Sequence, residues 1–151
     1  EGRPDVLVFT TPALTTPLEI VGAVQVKLWA SSDRKDTDFT VKLTDVYPDG
    51  RSMLIADGII RARYRNSLSR PELMTPGTMY QIEIDLWATS IIVNTGHRIR
   101  LAVSSSNYPR FDVNPNTGGD TFDKGTMIRA TNTIYYNSAY PSHILLPVVS
   151  R

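Results

Sequence analysis

Ser104-Ser105-Ser106 follows an alternating apolar run, and with His143 and Asp112 it supplies the residue types of a Ser–His–Asp set, which would turn a serine hydroxyl into a nucleophile. These types are common, no Gly-x-Ser-x-Gly elbow occurs, and serines at a strand end ordinarily bond to nearby backbone. No catalytic residue is therefore expected in the chain. Cysteine is absent and His97 and His143 are the only histidines, which excludes a thiolate metal site, a cysteine nucleophile and a pair of imidazole ligands at close spacing. Side-chain oxygens recur at alternate positions in Asp112, Asn114 and Asn116, as in a calcium loop. The match is incomplete, since Thr117 and Asp123 stand where such a loop wants glycine and glutamate, and Pro115 stiffens its middle. Turn roles are favoured there, and a structural calcium is the one cofactor reading left. Asp33, Asp36 and Asp38 are interleaved with Arg34 and Lys35, and capping or turn roles are again expected.

Arg61, Arg63 and Arg65 are spaced by two. If their strand persists, they form a ladder on one face with about 7 Å per step, able to take carboxylates or another anion. The alternative is pairing across strands with acids such as Glu83 and Asp85, or packing against a neighbouring domain. Trp29 and Trp87 fall on the polar faces of their strands, an unusual place for tryptophan, so each is expected to meet another domain or a flat ligand such as a sugar ring. Tyr135, Tyr136 and Tyr140 add a late aromatic cluster, for at least part of which core packing is expected.

The elements that must position these residues are strands. Phe39, Val41 and Leu43 alternate with Thr40, Lys42 and Thr44; Tyr80, Ile82, Ile84 and Leu86 alternate with Gln81, Glu83 and Asp85; and Ile99, Leu101 and Val103 follow the same period of two. Further strands are predicted at Val6–Thr10, Glu19–Ala30, Ser52–Tyr64, Thr126–Tyr136 and Ser142–Leu146, bounded by Pro, Gly, Asn or Asp. Pro48-Asp49-Gly50 and Asn94-Thr95-Gly96 are turns between runs. Asn66 to Gly77 and Ser104 to Lys124 are long connections without periodicity. Residues 1–151 thus form one all-β domain, an antiparallel β-sandwich.

Sixteen Lys and Arg against fifteen Asp and Glu leave a net charge of +1, so neither nucleic acid nor a membrane surface is an expected partner. The apolar runs are too short for a membrane span, and Glu1-Gly2-Arg3-Pro4-Asp5 lacks the pattern of a signal peptide. That opening reads as the cut end of a longer chain. The compartment stays open, because lacking cysteine suits cytosol and exterior alike.

The blocks Asp57-Gly58-Ile59-Ile60-Arg61-Ala62-Arg63-Tyr64-Arg65, Gly96-His97-Arg98-Ile99-Arg100-Leu101, Ser104-Ser105-Ser106-Asn107-Tyr108-Pro109-Arg110-Phe111-Asp112 and Asn114-Pro115-Asn116-Thr117-Gly118, preceded by Asp36 to Arg51, resemble the carboxy-terminal β domain of the cocaine esterase and Xaa-Pro dipeptidyl-peptidase family of serine hydrolases. The resemblance runs in the family's order over nearly the whole chain. It implies a jelly-roll-like, galactose-binding-domain-like sandwich behind an α/β-hydrolase core that holds the Ser–Asp–His triad and oxyanion hole. The parent would hydrolyse acyl esters or Xaa-Pro peptides, with the esterase-like branch the closer match. The β domain would pack on the hydrolase and helical cap domains and could join subunit interfaces of a homo-oligomer. On that reading Trp29, Trp87, Arg61 and Arg63 are the docking candidates. A reading from another class makes the chain a carbohydrate-binding module, with Trp29, Trp87 and Tyr108 stacking on a polysaccharide.

Overall fold

The computed structural model describes residues 1–120, 122 and 125–150. Eight strands follow in order: β1 (Leu7–Thr10), β2 (Leu18–Ser32), β3 (Asp38–Val46), β4 (Ser52–Arg61), β5 (Tyr80–Val93), β6 (Arg98–Ser104), β7 (Asn132–Tyr135) and β8 (His143–Leu145). They form two antiparallel sheets, one in the order β1-β6-β3-β4, the other with β5 on one side of β2 and β7 and β8 on the other side. Every connection except β3–β4 and β7–β8 passes from one sheet to the other, which makes the sandwich jelly-roll-like. The inward set of each alternation meets between the sheets: Phe39, Val41 and Leu43 from β3 and Ile82, Ile84 and Leu86 from β5 are all buried, with Val26 and Leu28 of β2.

β2 is the longest strand, and its second edge is served in instalments. Trp29 to Ser32 pair with β7, the chain then leaves the sheet, and it returns as β8 to pair Gln25 to Lys27 before Val148 bridges to Ile20. Opposite, β4 and β5 are the edges of their own sheets and lie so close that a Cβ on Gly58 would sit 2.2 Å from the Asp85 carbonyl oxygen. Only the missing side chain of glycine permits that approach. At the far edge the sheets part around an apolar slot of about 340 Å³ beneath Phe9 and Tyr136, whose rings meet edge to face.

β3 is buried on both faces, though its outward residues are polar. They are covered by the connection after β6, which is bolted down by side-chain hydrogen bonds. Asn107 Nδ2 donates to Asp57 at 2.9 Å and Arg110 pairs with Asp57 at 3.2 Å, while Ser104, the last residue of β6, shares a hydroxyl contact of 2.8 Å with Thr40 of β3. Two predicted strands are corrected. The one expected over Ser52–Tyr64 ends at Arg61 and passes into a short 3-10 turn, Ala62–Tyr64, because Ala62 N–H turns to the Thr37 carbonyl and Asp36 captures the Arg63 N–H. The one expected over Thr126–Tyr136 shrinks to β7, because Ile128 bonds to Pro115 and Thr131 to Asp33 before the chain reaches β2.

Candidate functional site

Of the residues from which a triad could be drawn, Ser104, Ser105 and His143 are bonded to other partners. Ser104 closes β6 against Thr40, Ser105 Oγ accepts from Asn132 Nδ2 at 2.7 Å, and His143 Nδ1 donates to the Pro141 carbonyl at 2.6 Å from a strand of the other sheet. A histidine–carboxylate contact does exist, unforeseen from the sequence: His97 Nδ1 lies 2.8 Å from Asp45, both buried, with the Tyr47 ring 4.3 Å away. It ties the Gly96 turn to the end of β3. No spacing rule could have signalled it, since the partners are far apart in sequence.

The carboxylates Asp36 and Asp38 lie at the start of β3 with almost no solvent exposure. Asn114 stands between them, donating through Nδ2 to Asp36 at 3.0 Å and to Asp38 at 2.8 Å. Its own oxygen accepts the Asn116 N–H, while Asn116 Nδ2 donates to the Ile128 carbonyl, so Asn114 holds the loop to the start of β3 and Asn116 closes the loop on itself. Among the described residues no group of three His, Asp or Glu side chains is arranged to hold a metal ion. Of the loop that matched a calcium site in part, Asp112 is described, whereas Thr121 and the twelfth-position Asp123 lie outside the described residues, as does Lys124.

The arginine ladder, which required the strand to persist, does not form, because that strand stops at Arg61; the alternative of pairing with acids does occur, with Asp38 and Asp36 in place of Glu83 and Asp85. Arg61 forks onto Asp38 at 2.9 and 3.1 Å, and that hydrogen-bonded carboxylate holds its guanidinium above the ordinary range. Arg63 bonds Asp36 through Nε at 2.8 Å and reaches the Gly119 carbonyl at 3.0 Å. Arg65 turns another way, donating to the Ala62 and Glu72 carbonyls and stacking 4.2 Å from the centre of the Tyr80 ring. The acids expected as partners serve other groups, Glu83 meeting Lys27 at 3.0 Å and Asp85 accepting the backbone N–H of Trp87 at 2.8 Å. Arg61 and Arg63 are therefore first of all internal counter-charges.

The aromatic candidates separate. Trp29 is half-buried on the outer side of β2, edge to face with Tyr140 at 5.4 Å, and Tyr140 in turn meets Tyr135. Tyr108 is exposed on the loop after β6, beside the cis Tyr108–Pro109 bond. Trp87 is 70% exposed and has φ 68°. A β-bulge explains the angle: between the pairs Gln25–Asp85 and Ala23–Ala88, β2 supplies only Val24 but β5 supplies Leu86 and Trp87. The extra residue shifts the phase of β5, so Trp87 and Ala88 are exposed in succession, and it puts an aromatic residue in a backbone region that L-residues other than Asn and Asp rarely enter.

Trp87 flanks a cleft of about 670 Å³ along the β4–β5 edge, floored by Gly58 and Ile84. Leu68 and Arg65 stand on one side, Arg110 and Phe111 line it from the loop after β6, and Glu83 and Asp85 add negative charge. Of the docking and ligand-stacking candidates Trp29, Arg61, Arg63, Trp87 and Tyr108, Trp87 is the one that lines this cleft. The bulge makes a prediction about the chain itself. Trp87→Asn, which tolerates the left-handed backbone, is expected to leave the unfolding midpoint in urea unchanged or raise stability by up to about 1 kcal/mol. A loss beyond about 1 kcal/mol would show that the exposed ring supports the fold.

Comparison with known proteins puts this geometry in context. Residues 1–145 match the family model described as the X-Pro dipeptidyl-peptidase C-terminal non-catalytic domain. Cocaine esterase of Rhodococcus sp. (strain MB1 Bresler) is 47% identical over 151 residues, which is 99% of this chain and 26% of that protein. Among solved structures, an α-amino acid ester hydrolase superposes with a TM-score of 0.93 at 38% identity, covering 99% of this chain and 26% of that one. An aminopeptidase from the marine sediment archaeon Thaumarchaeota archaeon gives a TM-score of 0.91 at 30% identity, with the same coverage of 99% and 26%. The chain thus spans about a quarter of the length of these relatives.

Proposed function

The chain belongs to the family of X-Pro dipeptidyl-peptidase C-terminal non-catalytic domains, and from that membership we propose that it is the accessory domain of a serine esterase whose triad lies in an α/β-hydrolase domain of the same parent chain. The observation that carries the reading is the 47% identity to an esterase across 99% of this chain, against only 26% of that enzyme. The commitments of Ser105 and His143 support it, because a nucleophile needs a base within hydrogen-bond reach and these two side chains serve other partners. An ester is favoured over an Xaa-Pro peptide as the parent's substrate, since the relative named for Xaa-Pro cleavage in Rhodopirellula baltica is 28% identical over 67% of the chain. A rigid sandwich suits the role: it presents a fixed wall beside a reacting centre, and the hydrolase domain supplies the chemistry.

The test compares the full-length parent protein with this chain alone on a p-nitrophenyl acyl ester and on an Xaa-Pro p-nitroanilide. The parent is expected to turn over the ester with kcat/KM at least tenfold above the anilide, and the chain alone to match the buffer rate. Ester hydrolysis by the chain alone, lost on replacing Ser104, Ser105 or Ser106 by alanine, would overturn the reading.

A further inference from the structure

The sandwich is open at both edges, and the two differ in chemistry. β1 is exposed along its whole length, and Leu7, Val8 and Phe9 make it apolar. Its one hydroxyl, Thr10, is taken by Arg100 Nε at 2.9 Å, so the side chains there leave a polar ligand no partner. The cleft along the β4–β5 edge is mixed. Beside Trp87 it carries the polar side chains of Gln25, Asn66, Glu83, Asp85 and Arg110.

Trp87 is strained where it stands. Backbone strain of this kind persists where a function uses it, and a ring that is mostly exposed recovers little through packing. The polar groups around the ring are held in place but only partly engaged. Asp85 accepts the Trp87 N–H on Oδ1 at 2.8 Å, and among the described residues no donor reaches its Oδ2. Gln25 faces Asp85 directly across the β2–β5 pair, is exposed, and forms no side-chain hydrogen bond to a described residue. Asn66 gives Nδ2 to Glu72 and keeps its oxygen. Arg110 is tethered to Asp57 at 3.2 Å yet more than half exposed. Glu83 with Lys27 and Arg110 with Asp57 match charge for charge, which leaves little net field in the cleft and suits a neutral ligand over a phosphate or a polycation.

We propose that this cleft binds a neutral polysaccharide, with a pyranose ring stacked on Trp87 and its hydroxyls shared between Asp85 and Gln25. The C–H face of a pyranose complements the negative face of an aromatic ring. The hydroxyls at its rim both donate and accept, which matches a carboxylate oxygen that accepts and an amide that does both. The volume of about 670 Å³ lies within the ~300–1,000 Å³ of small-ligand sites. Holding Trp87 by the bulge and Asp85 by the Trp87 N–H orders both before the ligand arrives, which reduces the entropy that binding would cost. Of the three rings expected to stack on a sugar, Trp87 alone belongs to the site, since Trp29 packs against Tyr140 and Tyr108 lies outside the cleft lining. The inference concerns binding and stands apart from the esterase reading.

The test is native electrophoresis of the full-length parent in gels containing barley β-glucan, arabinoxylan or galactomannan, each beside a gel without polymer. At least one of the three is expected to cut the relative mobility twofold or more. Trp87→Asn, which suits the left-handed backbone, is expected to restore the polymer-free mobility, and Gln25→Ala, at an exposed position, to reduce the retardation severalfold. Trp29→Phe is expected to leave it unchanged, and the urea midpoint of each variant checks that it remains folded. Unaltered mobility with all three polymers, or retardation that survives Trp87→Asn or Gln25→Ala in full, overturns the proposal, as does retardation confined to a gel of anionic polygalacturonate. The ester assay on the same parent keeps the two readings apart. Hydrolysis without retardation removes the saccharide site alone; retardation without hydrolysis removes the esterase reading alone.

Discussion

Gly58→Ala is expected to destabilise the chain by about 3 kcal/mol or more, at the upper end of what overpacking costs. The new methyl group would lie 2.2 Å from the Asp85 carbonyl oxygen, 3.0 Å from its carbon and 3.2 Å from Ile84 Cγ2. A flexible side chain could swing away from such a contact, but two of these atoms belong to the backbone of β5, so the sheets themselves must separate. Separation would expose part of the Ile84 and Phe39 core and move Asp85, whose carboxylate holds the Trp87 backbone. Thermal unfolding is the measurement, with a midpoint drop of roughly 10 °C for a domain of this size. Gly119→Ala is the control, since its nearest neighbour would be the Thr117 hydroxyl at 3.5 Å, and it is expected to change stability by no more than about 0.5 kcal/mol. A Gly58→Ala midpoint within 2–3 °C of the parent chain, roughly 1 kcal/mol, would show that the β4 and β5 edges do not touch as described.

Arg63→Ala carries the second large effect, about 3–5 kcal/mol, because it strands a charge inside the protein. Asp36 has no solvent exposure, and without the Arg63 guanidinium the donors left to it among the described residues are the Arg63 N–H and the Asn114 amide. Those two hydrogen bonds offset part of the desolvation and none of the net charge. Removing both partners in Arg63→Ala with Asp36→Ala is expected to recover part of the loss, which separates a stranded charge from lost packing. The comparison pair is Lys27–Glu83 at 3.0 Å, well exposed on the acid's side, where Lys27→Ala should cost under about 1 kcal/mol. Urea unfolding of the variants checks the series. Equal losses at Arg63 and Lys27 would mean that water reaches Asp36.

The two effects concern the same stretch of chain. Arg61, Arg63 and Arg65 were readable as a regular charged series, and their spacing was correct for a ladder. The strand that would have displayed them ends because Asp36 takes the Arg63 N–H, and a period-two pattern holds no information about a carboxylate 27 residues away. Trp87 shows the opposite case. Its place outside the core was legible from the alternation of Ile82, Ile84 and Leu86, but its left-handed backbone and its cleft were not, because a bulge exists only relative to the partner strand. Trp29 was read the same way as Trp87, yet it is covered in part by Tyr140, which reaches it through the excursion between β7 and β8. The loop rich in Asn and Asp after β6 carried the composition of an irregular connection. That it covers β3 follows from Asn107, Arg110 and Asn114 finding acids on that strand, on its neighbour and just before it.

By itself the sequence determined the all-β class, the inward set of most strands, the lack of a nucleophile elbow and the family blocks. Each of these is local, set by residues within a few positions of one another, and side-chain alternation needs no partner to be visible. Only the tertiary structure decided which acids neutralise the arginines, which tryptophan stands free beside a cleft, and which side of the sandwich remains open to a partner. Those outcomes depend on contacts across 23, 27 and 78 residues of chain, as at Asp38–Arg61, Asp36–Arg63 and Asp36–Asn114, and such contacts come into being when β3 pairs with β4 and the loop after β6 folds against the start of β3.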